Sequence, residues 1–137
     1  GRWRCDDGTL GHDLEGVGEK GDKLKMHGTN TLSADGKAVI TKITGIVKGA
    51  GAKNGVSIAY YDFEKKQIRR LSVFSGGSVA HATIYKKDDG KWVQESSHCE
   101  PDGTKTKRKA TLVITNSGDQ HTWKVDGVQN VWQREHE

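Results

Sequence analysis

The sequence predicts an all-β protein, an up-and-down antiparallel β-barrel of about 8–10 strands. Three observations predict it. The stretch from Asn54 to Trp92 reads as three strands joined by tight turns, Val56–Tyr61, Gln67–Phe74 and Ser78–Tyr85. Asn54-Gly55, Gly76-Gly77 and Asp89-Gly90 flank them, dipeptides that accept the positive φ of a two-residue hairpin. From Asp35 onward, turn signals recur roughly every nine to fifteen residues, and no stretch shows a capped helical apolar period.

The remaining elements follow the same reading in chain order. Gly1–Cys5 forms a short first strand, ended by Asp6-Asp-Gly-Thr. Residues 9–21 carry four glycines and weak alternation; a ragged edge strand is expected there, with a short helix as the alternative. Lys23–His27 alternates cleanly, with Leu24 and Met26 on one face. Asp35-Gly36-Lys37 turns the chain into Ala38–Val47, a β-branched run, and Gly49–Ala52 is expected to be a flexible connection. After the central meander come Lys91–Cys99, a turn at Glu100–Gly103, then Lys105–Thr115, Gln120–Val125 and Val128–Arg134.

A nearest-neighbour meander of this many strands has two open edges, and closing it into a barrel removes them. A sandwich needs longer crossover connections than most of these turns provide. The 137 residues fit one domain over 1–137. Hydrophobic residues make up only 32% against 18 glycines, so the core is lean and turns are many. The single proline, Pro101, suits long paired strands, because proline cannot donate to a ladder.

Twenty-two Lys and Arg against 18 Asp and Glu leave a formal charge of +4, a mild excess that demands no nucleic-acid partner. Basic clusters at Lys65-Lys66 with Arg69-Arg70, at Lys86-Lys87 with Lys91, and at Lys105–Lys109 are interrupted by acidic turns and read as solvated faces. No run has the apolar length of a membrane helix, and no signal peptide is apparent. The opening on Gly1 is expected of a processed product or an excerpt. Cys5 and Cys99 have no metal spacing. Either they form one disulfide in an oxidising compartment, tying the first strand to the middle of the sheet, or they are separate thiols.

The two ends of the chain carry a resemblance. Gly1-Arg2-Trp3 resembles the Gly-x-Trp opening of the lipocalin-like barrels (the calycin group), in which the tryptophan closes one barrel end beneath an arginine of the last strand. The resemblance implies that closing role for Trp3 and Arg134. Tyr61-Asp-Phe-Glu-Lys-Lys-Gln-Ile-Arg69, Phe74-Ser-Gly-Gly, Asp89-Gly-Lys-Trp-Val, Pro101-Asp-Gly-Thr and Thr122-Trp are similar to the pattern of a bacterial lipocalin-like family of unknown function. That similarity spans residues 36–127. It implies the fold and no catalytic motif, and residues 9–21 depart from it.

No constellation points to an enzyme. Serines lack a Gly-x-Ser-x-Gly elbow, Cys99 and His98 are adjacent strand residues facing opposite sides, and the carboxylate pairs sit in turns. The six histidines show no ligand spacing, so no metal site is expected. Haem held by one inward histidine is the lesser alternative to no cofactor.

Trp3, Trp92, Trp123 and Trp132 can each bury a large apolar area. Small or polar residues fall on either face of the strands, including Ala80, Ala82, Thr83, Ser96, Thr111 and Thr122. An interior lined this way leaves space. The expectation is a secreted or periplasmic barrel that binds a small, partly apolar molecule non-covalently. Trp92 and Trp123 would be its indole contacts, with Thr122 or His121 as polar anchor. The alternative is a structural module that associates with copies of itself.

Overall fold

The computed structural model describes residues 1–13, 17–47 and 51–136. Ten strands follow one another: β1 (Arg2–Thr9), β2 (Lys23–Leu32), β3 (Ala38–Val47), β4 (Gly51–Asp62), β5 (Gln67–Phe74), β6 (Val79–Lys86), β7 (Trp92–Cys99), β8 (Lys105–Thr115), β9 (Gln120–Val125) and β10 (Val128–Glu135). Each pairs antiparallel with its chain neighbours, and β1 pairs with β10 to close the ring. The fold is a closed ten-stranded up-and-down barrel, with no α-helix among the described residues.

The register sorts the residues into two faces. Trp3 pairs with Gly28, Gly28 with Ile43, Ile43 with Gly55 and Gly55 with Phe74, forming one inward row. A second inward row runs Arg70–Ala82–Ser96–Arg108. Two buried clusters close the ends. Trp3, Cys5 and Trp132 pack with Met26 and Trp123 at the end that holds the chain termini, the lower end. Leu10, Leu24 and Val47 pack with Val17 and Met26 at the upper end.

Turn chemistry sets the register. Asp126 and Gly127 have φ of 50° and 79°, the pair of positive values that a type I′ hairpin turn requires between β9 and β10. Asn54-Gly55 behaves differently from the sequence expectation, since it lies inside β4 and makes no turn. There Gly55 serves a close approach, because a Cβ on it would stand 3.0 Å from the Phe74 ring. The connection expected at 49–52 lies partly outside the described residues, and Gly51 and Ala52 already belong to β4.

The expectation of an edge strand over 9–21 is also corrected. Strand β1 ends at Thr9, and the chain then folds across the upper end. The Leu10 amide donates to the Asp22 carbonyl, Gly21 donates back to Leu10, and the Leu10 side chain is buried. Residues 14–16 of that stretch lie outside the described residues.

Cys5 and Cys99 are not bonded. Cys5 is buried in β1 and Cys99 is exposed at the end of β7, with β8, β9 and β10 between them around the ring. A disulfide needs Cα atoms within roughly 7 Å, and three intervening strands at about 4.8 Å each exceed that. Burial raises the Cys5 thiol pKa, only partly offset by nearby backbone amides of Asp7 and Val131. Native protein should therefore show one fast-reacting thiol, Cys99, and two after unfolding without reductant. No thiol in the unfolded chain until reductant is added, and two afterwards, would contradict the fold.

Candidate functional site

The inner surface of the barrel is the candidate site. Its floor is small: Ala80, Ala82, Ser96 and Ala110 are buried on β6, β7 and β8. Long cationic side chains rise around that floor. Lys53, Arg70 and Arg108 all occupy inward positions, and no inward strand position from β4 to β9 carries a carboxylate.

Arg70 holds the centre. Its Nη1 donates to Gln94 Oε1 at 2.7 Å, and its guanidinium carbon lies 5.9 Å from the Trp123 ring centre. Its Nε is buried with no hydrogen-bond partner. Burial alone lowers its pKa. Arg108, at the far end of the same row, is partnered: its Nη1 donates to Asp126 Oδ2 at 2.7 Å from the β9–β10 turn, although its Nε is also orphaned.

Above these lies a second group. Phe74 and His98 rings are nearly parallel at 6.3 Å, Lys53 Nζ stands 4.7 Å from the Phe74 centre, and Ser96 Oγ lies 3.1 Å from His98 Nε2. Burial lowers the Lys53 pKa, with Arg108 adding to it and Glu100 opposing. His98 is lowered for the same reasons in the same order. His12, in the capping loop, is pushed down to about 4 by burial and then by Arg108 and Lys53, and its Nδ1 is buried without a partner.

His121 belongs to the lower end. It stacks on Trp3 at 4.3 Å and 29°, and its ring centre lies 6.0 Å from Trp132 and 6.5 Å from Trp123. Burial and then the Arg70 charge hold it near 4. Trp3 is also covered by Arg134, whose guanidinium carbon lies 5.1 Å from its ring centre. Arg134 also approaches Asp119 at 3.5 Å.

The residues singled out from sequence are partly brought together. Trp92 and Trp123 share an inward row with Leu112 between them, and His121 also faces inward on β9. Thr122 does not join them, because alternation along β9 turns it to the outer face beside Val113 and Val131. Two open depressions of about 450 and 320 Å³ lie at the lower rim around Arg2 and Glu135, and neither is lined by any of these four residues. Among the described residues, no three His, Cys, Asp or Glu side chains converge as metal ligands.

Sequence reading assigned Arg70 and Arg108 to solvent with their basic clusters and did not single out Lys53. A signal was present. Arg69 and Arg70 are consecutive in a strand, so alternation must send one of them inward.

The closed ten-stranded barrel is compatible with a lipocalin-like (calycin) architecture. No protein-family model, curated protein or solved structure matches the chain.

The two low histidine pKa values set a pH dependence. Unfolded, each imidazole takes up its proton near the ordinary value of 6.5, while the folded protein accepts it only near 4. Between those values the unfolded chain holds more protons, so stability is complete above about 6.5 and is lost as the pH falls toward 4. The loss should be on the order of 1–2 kcal/mol per histidine after solvent screening. Thermal unfolding between pH 7.5 and 4 checks it, and H121Q should flatten the slope.

Replacing Arg134 by Met removes the cation over Trp3 and should cost roughly 0.5–2 kcal/mol in denaturant unfolding. An unchanged midpoint would show that the lid arginine contributes nothing to closure.

Proposed function

We propose that this barrel binds a small, partly apolar molecule non-covalently in its interior, without catalysing a reaction on it, and that it is a lipocalin-like barrel of the bacterial family described above. One observation carries the binding reading. Ile43 lies in the middle of β3 on the inner face, between Gly28 and Gly55, yet it remains 37% exposed. A mid-strand inward isoleucine stays exposed only where solvent reaches the space beside it.

Two quantities support the same reading. The chain exposes 8895 Å², about a quarter more than scaling expects of a compact protein of this length. Ten strands also set a barrel about a quarter wider than eight, which is already wide enough for one small ligand. The inward pairs Ser57–Ser72 and Ala59–Arg70 put little apolar volume across that width.

A second reading, association with another copy of the chain, is favoured by the outer face of β3, β4 and β5. There Ile46, Val56, Ile58, Leu71 and Val73 are all exposed, and Val56–Val73 and Ile58–Leu71 are directly paired.

Native mass spectrometry of the purified chain reads both ideas, because it reports bound mass and stoichiometry together. The expected result is a monomer that retains a small molecule or takes up the neutral dye N-phenylnaphthylamine. The double variant S57L/S72L should fill the space and weaken dye binding by roughly ten-fold or more. A dimer with no bound mass and no dye uptake would put the assembly reading ahead. A Soret absorbance band would identify the occupant as haem.

A further inference from the structure

We infer that the molecule held in the barrel carries a single anionic group, a carboxylate or sulfonate on an otherwise apolar body, and that this group seats on the Arg70 guanidinium. The inference rests on the reading of the interior as a binding space and adds the chemical class of its occupant.

The starting observation is a cation without an anion. Among the described residues, the one acceptor that meets Arg70 is the neutral amide oxygen of Gln94. A guanidinium has five N–H donors, so most of its capacity is unused. Nε is orphaned and desolvated. A charge drawn out of water without a partner is costly, and a counter-ion recovers that cost.

Among the described residues, no protein group supplies the counter-ion. Asp126 is engaged by Arg108 at 2.7 Å. Glu100 acts on Lys53 and His98 in the upper group. His121, which feels the Arg70 charge, carries no negative charge in either protonation state and cannot balance it. The surrounding positive charge of Lys53 and Arg108 raises the potential of the whole interior and draws an anion inward.

Geometry completes the class. Gln94 occupies Nη1 and Nε is closed off by the surrounding protein, which leaves Nη2 to donate to an oxygen of a carboxylate or sulfonate. Trp123 stands against the guanidinium, and Trp3, Trp132 and Ile43 supply apolar surface in the same interior. One anionic head and one apolar body follow from one unpaired arginine set beside aromatic walls.

Two dyes of similar size separate this inference from the reading beneath it. N-phenylnaphthylamine is neutral, and anilinonaphthalene sulfonate carries one negative charge. Both should bind the full chain, and both signals should weaken in S57L/S72L, which assigns them to the interior and not to the outer apolar face. R70Q should weaken the sulfonate by roughly ten-fold or more and the neutral dye by less than about two-fold. R70M repeats the test with a side chain suited to burial.

If both dyes bind and the Arg70 variants change them equally or leave both unchanged, the anion inference is overturned and the cavity stands. If neither dye binds the wild type, both fall. Should the variants unfold, the wild-type protein decides by NMR. The sulfonate, and not the neutral dye, should shift the Arg70 Nε–H resonance and raise the His121 pKa from its depressed value. Identical responses to the two dyes would also overturn it.

Discussion

The pairing of β1 with β10 is the constraint on which the other features depend. Arg2, Trp3 and Arg4 align with Glu135, Arg134 and Gln133, so the first and last strands satisfy each other's ladders. Without that seam the sheet would end in two rows of unpaired amides and carbonyls, open to water or to another chain. With it, strand number and stagger fix the radius, and the interior cannot shrink to suit the side chains within it. The Trp3–Arg134 stack lies directly on the seam, where the same register that closes the ring also brings the indole under the guanidinium. Closure and end-capping are one event.

A fixed radius explains how this protein tolerates so lean a core. In a helical bundle or sandwich, replacing large inward residues by Ala, Ser and Gly would let layers approach until they touched. Here Gly28, Gly45, Gly55, Ala80, Ala82, Ser96 and Ala110 stand on a wall that hydrogen bonds hold in place. Two buried apolar clusters stand at the ends: Trp3, Cys5 and Trp132 below, and Leu10, Leu24 and Val47 beneath the capping loop. The middle belongs to long cationic side chains reaching over small residues.

That inversion also shapes the electrostatics. Lys53, Arg70 and Arg108 share an interior in which, among the described residues, Asp126 is the one carboxylate bonded to any of them. Partial burial, and then the neighbouring positive charge, lowers the pKa of Lys53, His98 and His12, and burial followed by the Arg70 charge does the same to His121. The outer face is the more ordinary mixture for β7 and β8, where Lys109 approaches Glu95 and Tyr85 bonds Glu95. On β3 to β5 it exposes Ile46, Val56, Ile58, Leu71 and Val73, while Lys53, Ser57, Arg70 and Ser72 stand on the inner face of the same strands, so the usual segregation of apolar residues to one face is blurred there.

The sequence by itself determined the class of fold. Alternation, β-branched runs and dipeptides such as Asp126-Gly127 are local signals, and strand identity and hairpin turns follow from them because both are decided within a few residues. It failed where a local signal had a non-local cause. Asn54-Gly55 reads as a turn, but the glycine answers the Phe74 ring on the next strand. Cys5 and Cys99 read equally as a disulfide or as separate thiols until ring order separates them by three strands. Within β9, alternation places His121 and Trp123 on one face and Thr122 on the other, yet which face is inward, and that Trp92 of β7 shares it, depends on how the ten strands close. Arg70 shows the limit most clearly: its sequence requires only that it or Arg69 point inward. Its lack of a counter-ion is a property of nine other strands, and only the tertiary structure decides it.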